Sequence, residues 1–364
     1  MNEEEDHFPE DRKEARKARR AAARTDRSKF KKSDQDQLAR QRARKKQPPR
    51  PGLLKGRVLS VHGLQARVDS DGATYACTLK GSLKKEVGRL KNLLAVGDIV
   101  YFEPTARNEG SIEVIEERYS TLSRADALSR TKQHLIAANI DQVLITSSVV
   151  APDLKPGLID RYIIAATKGK MEPVILINKI DLLANGQYPE QAALVDELVT
   201  IYRSLGRTVL TVSADSGEGM DQLRETMRDR ASVFSGQSGA GKSSLINAIA
   251  HLNLPIGEVV AGTRKGAHTT TTARLIALDS GGWCIDTPGI KSFGVWDLTE
   301  EEIARYYTEI WEMADGCRFP DCSHTHEPEC AVQAAVESGE IKRLRYDSYL
   351  ALLESVREDR HRRR

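Results

Sequence analysis

Residues 236–243 read Gly-Gln-Ser-Gly-Ala-Gly-Lys-Ser, a spacing of residue types suited to gripping a chain of phosphates. Gly236, Gly239 and Gly241 let successive backbone N–H groups turn inward, and Gln237, Ser238 and Ala240 complete the loop. The Lys242 ammonium can reach the β and γ oxygens, while the Ser243 hydroxyl can take a position on Mg²⁺. Val233 and Phe234 before the loop read as a strand. Ser244 begins the helical run after it, SSLINAI, whose N-terminal dipole also favours phosphate.

Other stretches carry groups for a base and for the metal. Asn178-Lys179-Ile180-Asp181 closes the apolar run PVILI. A carboxylate at Asp181 can accept from the N1–H and the exocyclic amine of guanine, whereas adenine presents mismatched groups. Asn178 can tie loops together, and the Lys179 stem can lie along the base. Ser213-Ala214, after the strand-like run 208–212, can offer a backbone N–H to a base carbonyl. Downstream lie Gly-Ala-His-Thr-Thr-Thr-Thr at 266–272 and Asp286-Thr287-Pro288-Gly289. Asp286 can hold Mg²⁺ through water, Gly289 can give its N–H to a γ-phosphate, and one threonine of 269–272, Thr270 by preference, can complete the metal shell. The constellation calls for GTP with Mg²⁺.

A third group lies in GCRFPDCSHTHEPECAV. Cys317, Cys322 and Cys330 with one histidine, His324 or His326, would make a closed tetrahedral Zn²⁺ site, which leaves no position for substrate and is therefore structural. Such a cluster indicates metal binding in a reducing compartment rather than a disulfide framework. The remaining cysteines, Cys77 and Cys284, sit in strand-like runs and read as buried bystanders.

The elements that must position these groups follow from pattern and composition. A chain of 364 residues holds two to three domains at about 100–200 residues each. Its net charge of +3 hides an asymmetry: residues 1–50 carry 17 Lys/Arg against 10 Asp/Glu, and the rest carries 38 against 42. Residues 1–52 have too few large apolar groups to offset ordering entropy, so they read as a disordered charged arm, either solubilising or RNA-binding. Residues 53–119 alternate in five short runs punctuated by Gly and Asp-Gly turns, which predicts an oligonucleotide-binding (OB) β-barrel. Its loop 80–91 carries Lys80, Lys84, Lys85, Arg89 and Lys91, suited to a nucleic-acid backbone.

After a polar connector, STLSRADALSRTKQ, residues 120–295 alternate continuous apolar strands with helices, predicting a parallel α/β sheet covered on both faces. Residues 296–364 hold the metal cluster, two helices and a basic tail. No apolar run approaches the ~18 residues of a membrane span. The N-terminus also lacks the apolar centre of a secretory signal, so a cytoplasmic protein with no membrane partner is expected.

The base-reading tetrad precedes the phosphate loop, the reverse of the usual order in guanine-nucleotide switches. A circular permutation explains this: the helix at about 219–230 feeds directly into the phosphate-loop strand. NKID, GQSGAGKSSLIN, the HTTT segment, DTPGIKSFG, the Cys-x₄-Cys-x-His-x₅-Cys cluster and the following RYDSY occur together in this order. In this the chain closely resembles the ribosome small-subunit-dependent GTPase A family over about residues 53–350. The resemblance implies a monomeric enzyme that hydrolyses GTP to GDP, binds the small ribosomal subunit and its rRNA late in maturation, and is stimulated by that subunit. It also implies His324 as the zinc ligand. Ile290 follows Asp-x-x-Gly where many switch GTPases carry a water-positioning glutamine, so slow intrinsic hydrolysis is expected. His268 is the candidate that a partner would order to position water. The alternative is an RNA-binding assembly module that uses GTP only as a conformational ligand.

Overall fold

Side chains alternating inward and outward build the first five strands, β1 (Leu54–His62), β2 (Gln65–Ser70), β3 (Ala73–Leu79), β4 (Ile99–Ala106) and β5 (Glu109–Ile115). The structure is a computed structural model and describes residues 50–63, 65–81, 83, 94–125, 133–250, 273–286 and 298–361. The strands close into a barrel in the order β1-β2-β3-β5-β4, with only the β3–β5 pair parallel. Val58, Val68, Cys77, Val100, Phe102 and Ile112 fill it, so Cys77 is a core residue as expected. Most of the N-terminal arm and Lys84, Lys85, Arg89 and Lys91 lie outside the described residues. Lys80, still partly exposed, pairs with Glu113 at 2.5 Å.

The connector holds more structure than its polar composition suggested. Thr121–Ala125 (β6) and Gln133–Ala138 (β7) pair antiparallel. Val96 bridges to Ala137, and the fully buried Asp98 accepts from Arg118 Nε (2.6 Å) and Nη2 (2.8 Å) and from Ala95 N–H (2.7 Å).

The remaining strands of this unit are β8 (Gln142–Ser148), β9 (Glu172–Asn178), β10 (Thr208–Val212), β11 (Ala231–Gly236), β12 (Arg274–Ala277) and β13 (Trp283–Asp286). They form one sheet in the order β10-β9-β8-β11-β13-β12, parallel except for β12 at the edge. Every residue of β8 and β11 is buried, as continuous apolar runs in a two-sided sheet require. Helix α1 (Pro156–Lys168) packs on β8, β9 and β11, and α2 (Pro189–Ser204) packs on β10. Pro189 stands in the first turn of α2, where its missing N–H has no intrahelical partner to lose. Leu144, Leu176, Phe234, Leu223 of α3 (Met220–Met227) and Leu245 of α4 (Lys242–Ala250) share one core, where truncating a leucine to alanine costs about 2–5 kcal/mol.

Residues 49–297 make one compact unit; the described part of the other is 298–361. The described part of the second unit begins with two helices not expected from the sequence, α5 (Glu300–Tyr306) and α6 (Thr308–Met313). A capping box starts α5: Glu302 N–H donates to Thr299 Oγ1 (3.1 Å), and Thr299 N–H to Glu302 Oε2 (2.9 Å). Helices α7 (Ala331–Glu337) and α8 (Arg343–His361) follow the metal loop as expected. Arg357 anchors α8 to Glu300 at 2.8 Å. Arg345 anchors it to Glu309 at 2.7 Å, lying over the Tyr307 ring. Among the described residues no helix is long and apolar enough to cross a membrane.

Candidate nucleotide site and metal centre

Because β9, β10, β11 and β13 run parallel, Asn178, Val212, Gly236 and Asp286 end on one edge of the sheet, where open α/β sheets bind ligands. Gly236 leaves β11 with φ 148° and so close to β8 that a Cβ would meet Thr146 O at 1.9 Å. Gly241, with φ 89°, has Asn178 Nδ2 where its Cβ would stand, at 2.2 Å. That approach lets Asn178 Nδ2 donate to Ala240 O (2.9 Å), while Asn178 Oδ1 accepts from Ala214 N–H (3.4 Å). One buried amide thus joins the phosphate loop, the base tetrad and the 213–214 turn.

Lys242 donates to the loop's own carbonyls, Gly236 O at 2.9 Å and Gln237 O at 2.6 Å, and burial lowers its pKa. Ser243 and Ser244 occupy the first turn of α4. Asp181 follows Lys179, a left-handed residue with φ 66° whose ammonium donates to Ala151 O. Burial lowers the Lys179 pKa, with Asp181 acting the other way. Ile180 is half-buried in the same turn. Ser213 Oγ donates to Asp181 Oδ1 at 2.6 Å and accepts from Asp215 N–H (3.2 Å) and Ser216 N–H (3.0 Å). These bonds fix the direction of the carboxylate.

These groups line a cavity of about 560 Å³ that includes Asn178, Lys179, Asp181, Ser213, Ala214 and Ser244. Its size suits a small-molecule ligand. Four further lining residues were not evident from the sequence: Leu182, Asp215, Asn247 and Ala248. Asn247 and Ala248 stand three and four residues after Ser244, so the helical period could have found them. Asp286 ends β13, and its backbone is paired with Arg274. Gly289, Ile290, His268 and the threonines 269–272, Thr270 included, lie outside the described residues.

In the second unit Cys317, Cys322, His324 and Cys330 converge, their ligand atoms all within 4.8 Å of one another. His324 Nδ1 lies 3.5 Å from both Cys317 Sγ and Cys330 Sγ, and the two sulfurs are 3.8 Å apart. A tetrahedron with zinc–sulfur and zinc–nitrogen bonds of ordinary length has edges of about 3.8 Å (S–S) and 3.6 Å (S–N). The donor set and its spacing therefore fit one metal ion with Nδ1 as the imidazole donor. Burial pushes the Cys317 thiol up, but His324 and the amides of Val332 and Ala331 at the start of α7 outweigh it and lower it to about 6. Tyr346 OH donates to His324 O (2.6 Å) and Tyr349 OH to Ser323 O (3.3 Å), so α8 braces the loop.

The sequence profile of the family described as RsgA GTPase matches residues 115–296. The small ribosomal subunit biogenesis GTPase RsgA of Chlorobaculum tepidum is 42% identical over 316 residues, covering 84% of this chain and 99% of that protein. The chain belongs to the RsgA GTPase family. The protein of the same name from Sodalis glossinidius is 41% identical over 305 residues, 83% of this chain and 85% of that one. The crystal structure of YjeQ from Thermotoga maritima superposes with a TM-score of 0.66 at 33% identity, over 84% of this chain and 98% of that one. YloQ, described as a circularly permuted GTPase, gives 0.65 at 27% identity, over 86% and 99% of the two chains. The RsgA family match spans the base tetrad, the phosphate loop and Asp286, so the permuted order is a property shared with these relatives and not an oddity of this chain.

Proposed function

We propose that the protein is a GTP hydrolase that serves biogenesis of the small ribosomal subunit, with one structural zinc ion in its Cys₃His loop. The observation that carries the guanine reading is the Asp181 carboxylate, held by Ser213 beside a cavity that reaches Gly241 of the phosphate loop. A pre-aimed, acceptor-only group at that place favours guanine over adenine. Lys242, which donates to the Gly236 and Gln237 carbonyls of its own loop, is the cation that would meet the β and γ oxygens. Bound Mg²⁺ supplies charge neutralisation at the phosphates; Ser243 and Thr270 would hold it directly and Asp286 through water.

Gly289 would give an N–H to the γ-phosphate. Ile290 has no group to orient water, which makes the enzyme slow alone and dependent on a partner, with His268 as the residue that partner would order. The small ribosomal subunit, named in the relatives, is the partner proposed here. The excess of basic residues in 1–50 supports contact with its rRNA. GTP turnover measured with and without purified small ribosomal subunits, across a salt series, tests this. Turnover should rise with added subunits and the rise should shrink with salt. Equal turnover in both arms would overturn it.

A further inference from the structure

The chain leaves β8 at Ser148 and enters α1 at Pro156, and the loop between them touches both halves of the nucleotide site. On one side Lys179 of the base tetrad donates from Nζ to Ala151 O at 2.5 Å. On the other, Pro152 packs against Gly239 of the phosphate loop, where even a Cβ would stand only 3.3 Å from the proline Cδ. Val149 N–H adds a bond to Asn178 O (3.1 Å), at the start of the same tetrad.

A loop of this shape has to be held. Ala151 (φ 46°) and Lys179 (φ 66°) are left-handed residues with side chains, a backbone state that persists where surrounding contacts over-determine it. Ala151 is itself exposed, so packing of its own side chain does not supply them. The phosphate loop bars movement toward Gly239, and Ser148 opposes movement away, since its Oγ donates to Pro152 O at 2.7 Å. Ser148 is wholly buried and does not line the cavity, whereas Lys179 does.

We infer that Ser148, without touching the nucleotide, is a positioning residue for it: through the Pro152 carbonyl it sets the loop that brings Ala151 O to Lys179, and so fixes the lysine stem along the base. A free lysine side chain has to be ordered when a ligand arrives, and ordering it beforehand removes that cost. The stem's place at the base rests on the guanine reading above; the link from Ser148 to Lys179 does not.

The test is calorimetric titration of the full chain with GTP, GDP and ATP, together with steady-state turnover. Ser148→Ala should raise the Kd for GTP and for GDP alike by about fivefold, since the base is common to both. Turnover should show that loss in KM and leave kcat within about twofold, because the lysine is ordered equally in the ground and transition states. A merely structural role would not single out Lys179, so a double-mutant cycle decides. In Lys179→Met, which lacks the ammonium that meets Ala151 O, adding Ser148→Ala should change Kd by less than about twofold. Should Ser148→Ala not fold, Ser148→Cys, which fills the space with a weak donor, is read in the same cycle and should lose more than about twofold in the Lys179 background alone. An equal loss in both backgrounds, or a wild-type Kd in the serine variant, overturns the inference. Wild type that binds ATP as tightly as GTP sinks the guanine reading, while the cycle still reports whether Ser148 acts through Lys179.

Discussion

Replacing Ser213 with alanine separates two effects that are easily confused. The Ser213 hydroxyl is completely buried and donates to Asp181 Oδ1 at 2.6 Å. Both partners belong to the folded chain, so the bond is expected to contribute mainly to folding and only indirectly to affinity. A hydrogen bond to a charged group contributes about 1.5–3 kcal/mol. Asp181 is half-buried, and Asp215 and Ser216 are exposed, so water takes over part of what the hydroxyl satisfied. The lower end, about 1.5 kcal/mol of stability, is expected from the urea midpoint.

Binding loses only preorganisation, the cost of fixing a freed Asp181 side chain, at about 0.5–1.5 kcal/mol. The Kd for GTP should therefore rise about two- to twelvefold, and calorimetric titration measures it. ATP, which has no use for the Asp181 carboxylate, should bind as weakly as before. A hundredfold loss of GTP affinity with an unchanged urea midpoint would refute this reasoning, because it would mean that the bond forms only in the complex.

Lys242→Ala removes the cation nearest the phosphate loop and should abolish GTP turnover, with nucleotide binding by fluorescence titration falling at least tenfold. Chelating zinc should cost the 298–361 unit most of its helical circular dichroism, since structural zinc contributes folding energy outright. GTP affinity should stay within about twofold, because the described residues that line the cavity all lie between 178 and 248; parallel loss of both would count against the assignment. Glu327→Gln should lower thermal stability near neutral pH, because an amide cannot serve all four donors that the carboxylate takes, the N–H groups of Ser323, Thr325 and His326 and the Ser323 hydroxyl. The folded-state pKa of Glu327 is depressed, so its contribution is complete above the unfolded value of about 4.3. It fades as pH falls below that. The gap between variant and wild type should therefore narrow in melts taken below about pH 4.3; a gap that widens there reverses the sign and defeats the argument.

The barrel strands and the phosphate loop were legible because each carries a local rule: a period of two between glycine turns, or small residues before Lys-Ser. Thr299-Glu300-Glu301-Glu302 carries one as well, a capping box, and it marks the start of α5. Other features have no local rule. TLSRA and QHLIAA pair as β6 and β7 although neither has a sustained apolar face, because each supplies the other's backbone partners. The pairing of Asp98 with Arg118 and the bracing of the metal loop by Tyr346 and Tyr349 join residues 20 to 26 positions apart. Such contacts exist only once the chain has folded, so no window of sequence contains them.

The permutation joins what the ordinary chain order leaves as termini, the end of α3 and the start of β11, and opens the chain before β8, so both places must be fastened. Asp141 serves both. Its Oδ1 accepts from Tyr119 OH at 2.8 Å, on the segment arriving from the barrel. Its Oδ2 accepts from Ala231 N–H at 2.7 Å, at the first residue of β11, and its own N–H donates to Ala231 O at 2.9 Å. Gln142, wholly buried, adds bonds to Ser232 Oγ and Thr226 O, each 2.9 Å, while Arg230 reaches Gln142 and Glu172. β11 is thus pinned at its start and laddered on both sides by β8 and β13. The phosphate loop leaves the far end of a strand held at its start and along both sides, which favours a fixed direction for its amides. Binding phosphate then costs little reorganisation. Cutting the domain open elsewhere moved its termini, and the polar seam around Asp141 keeps that change of order from loosening the site.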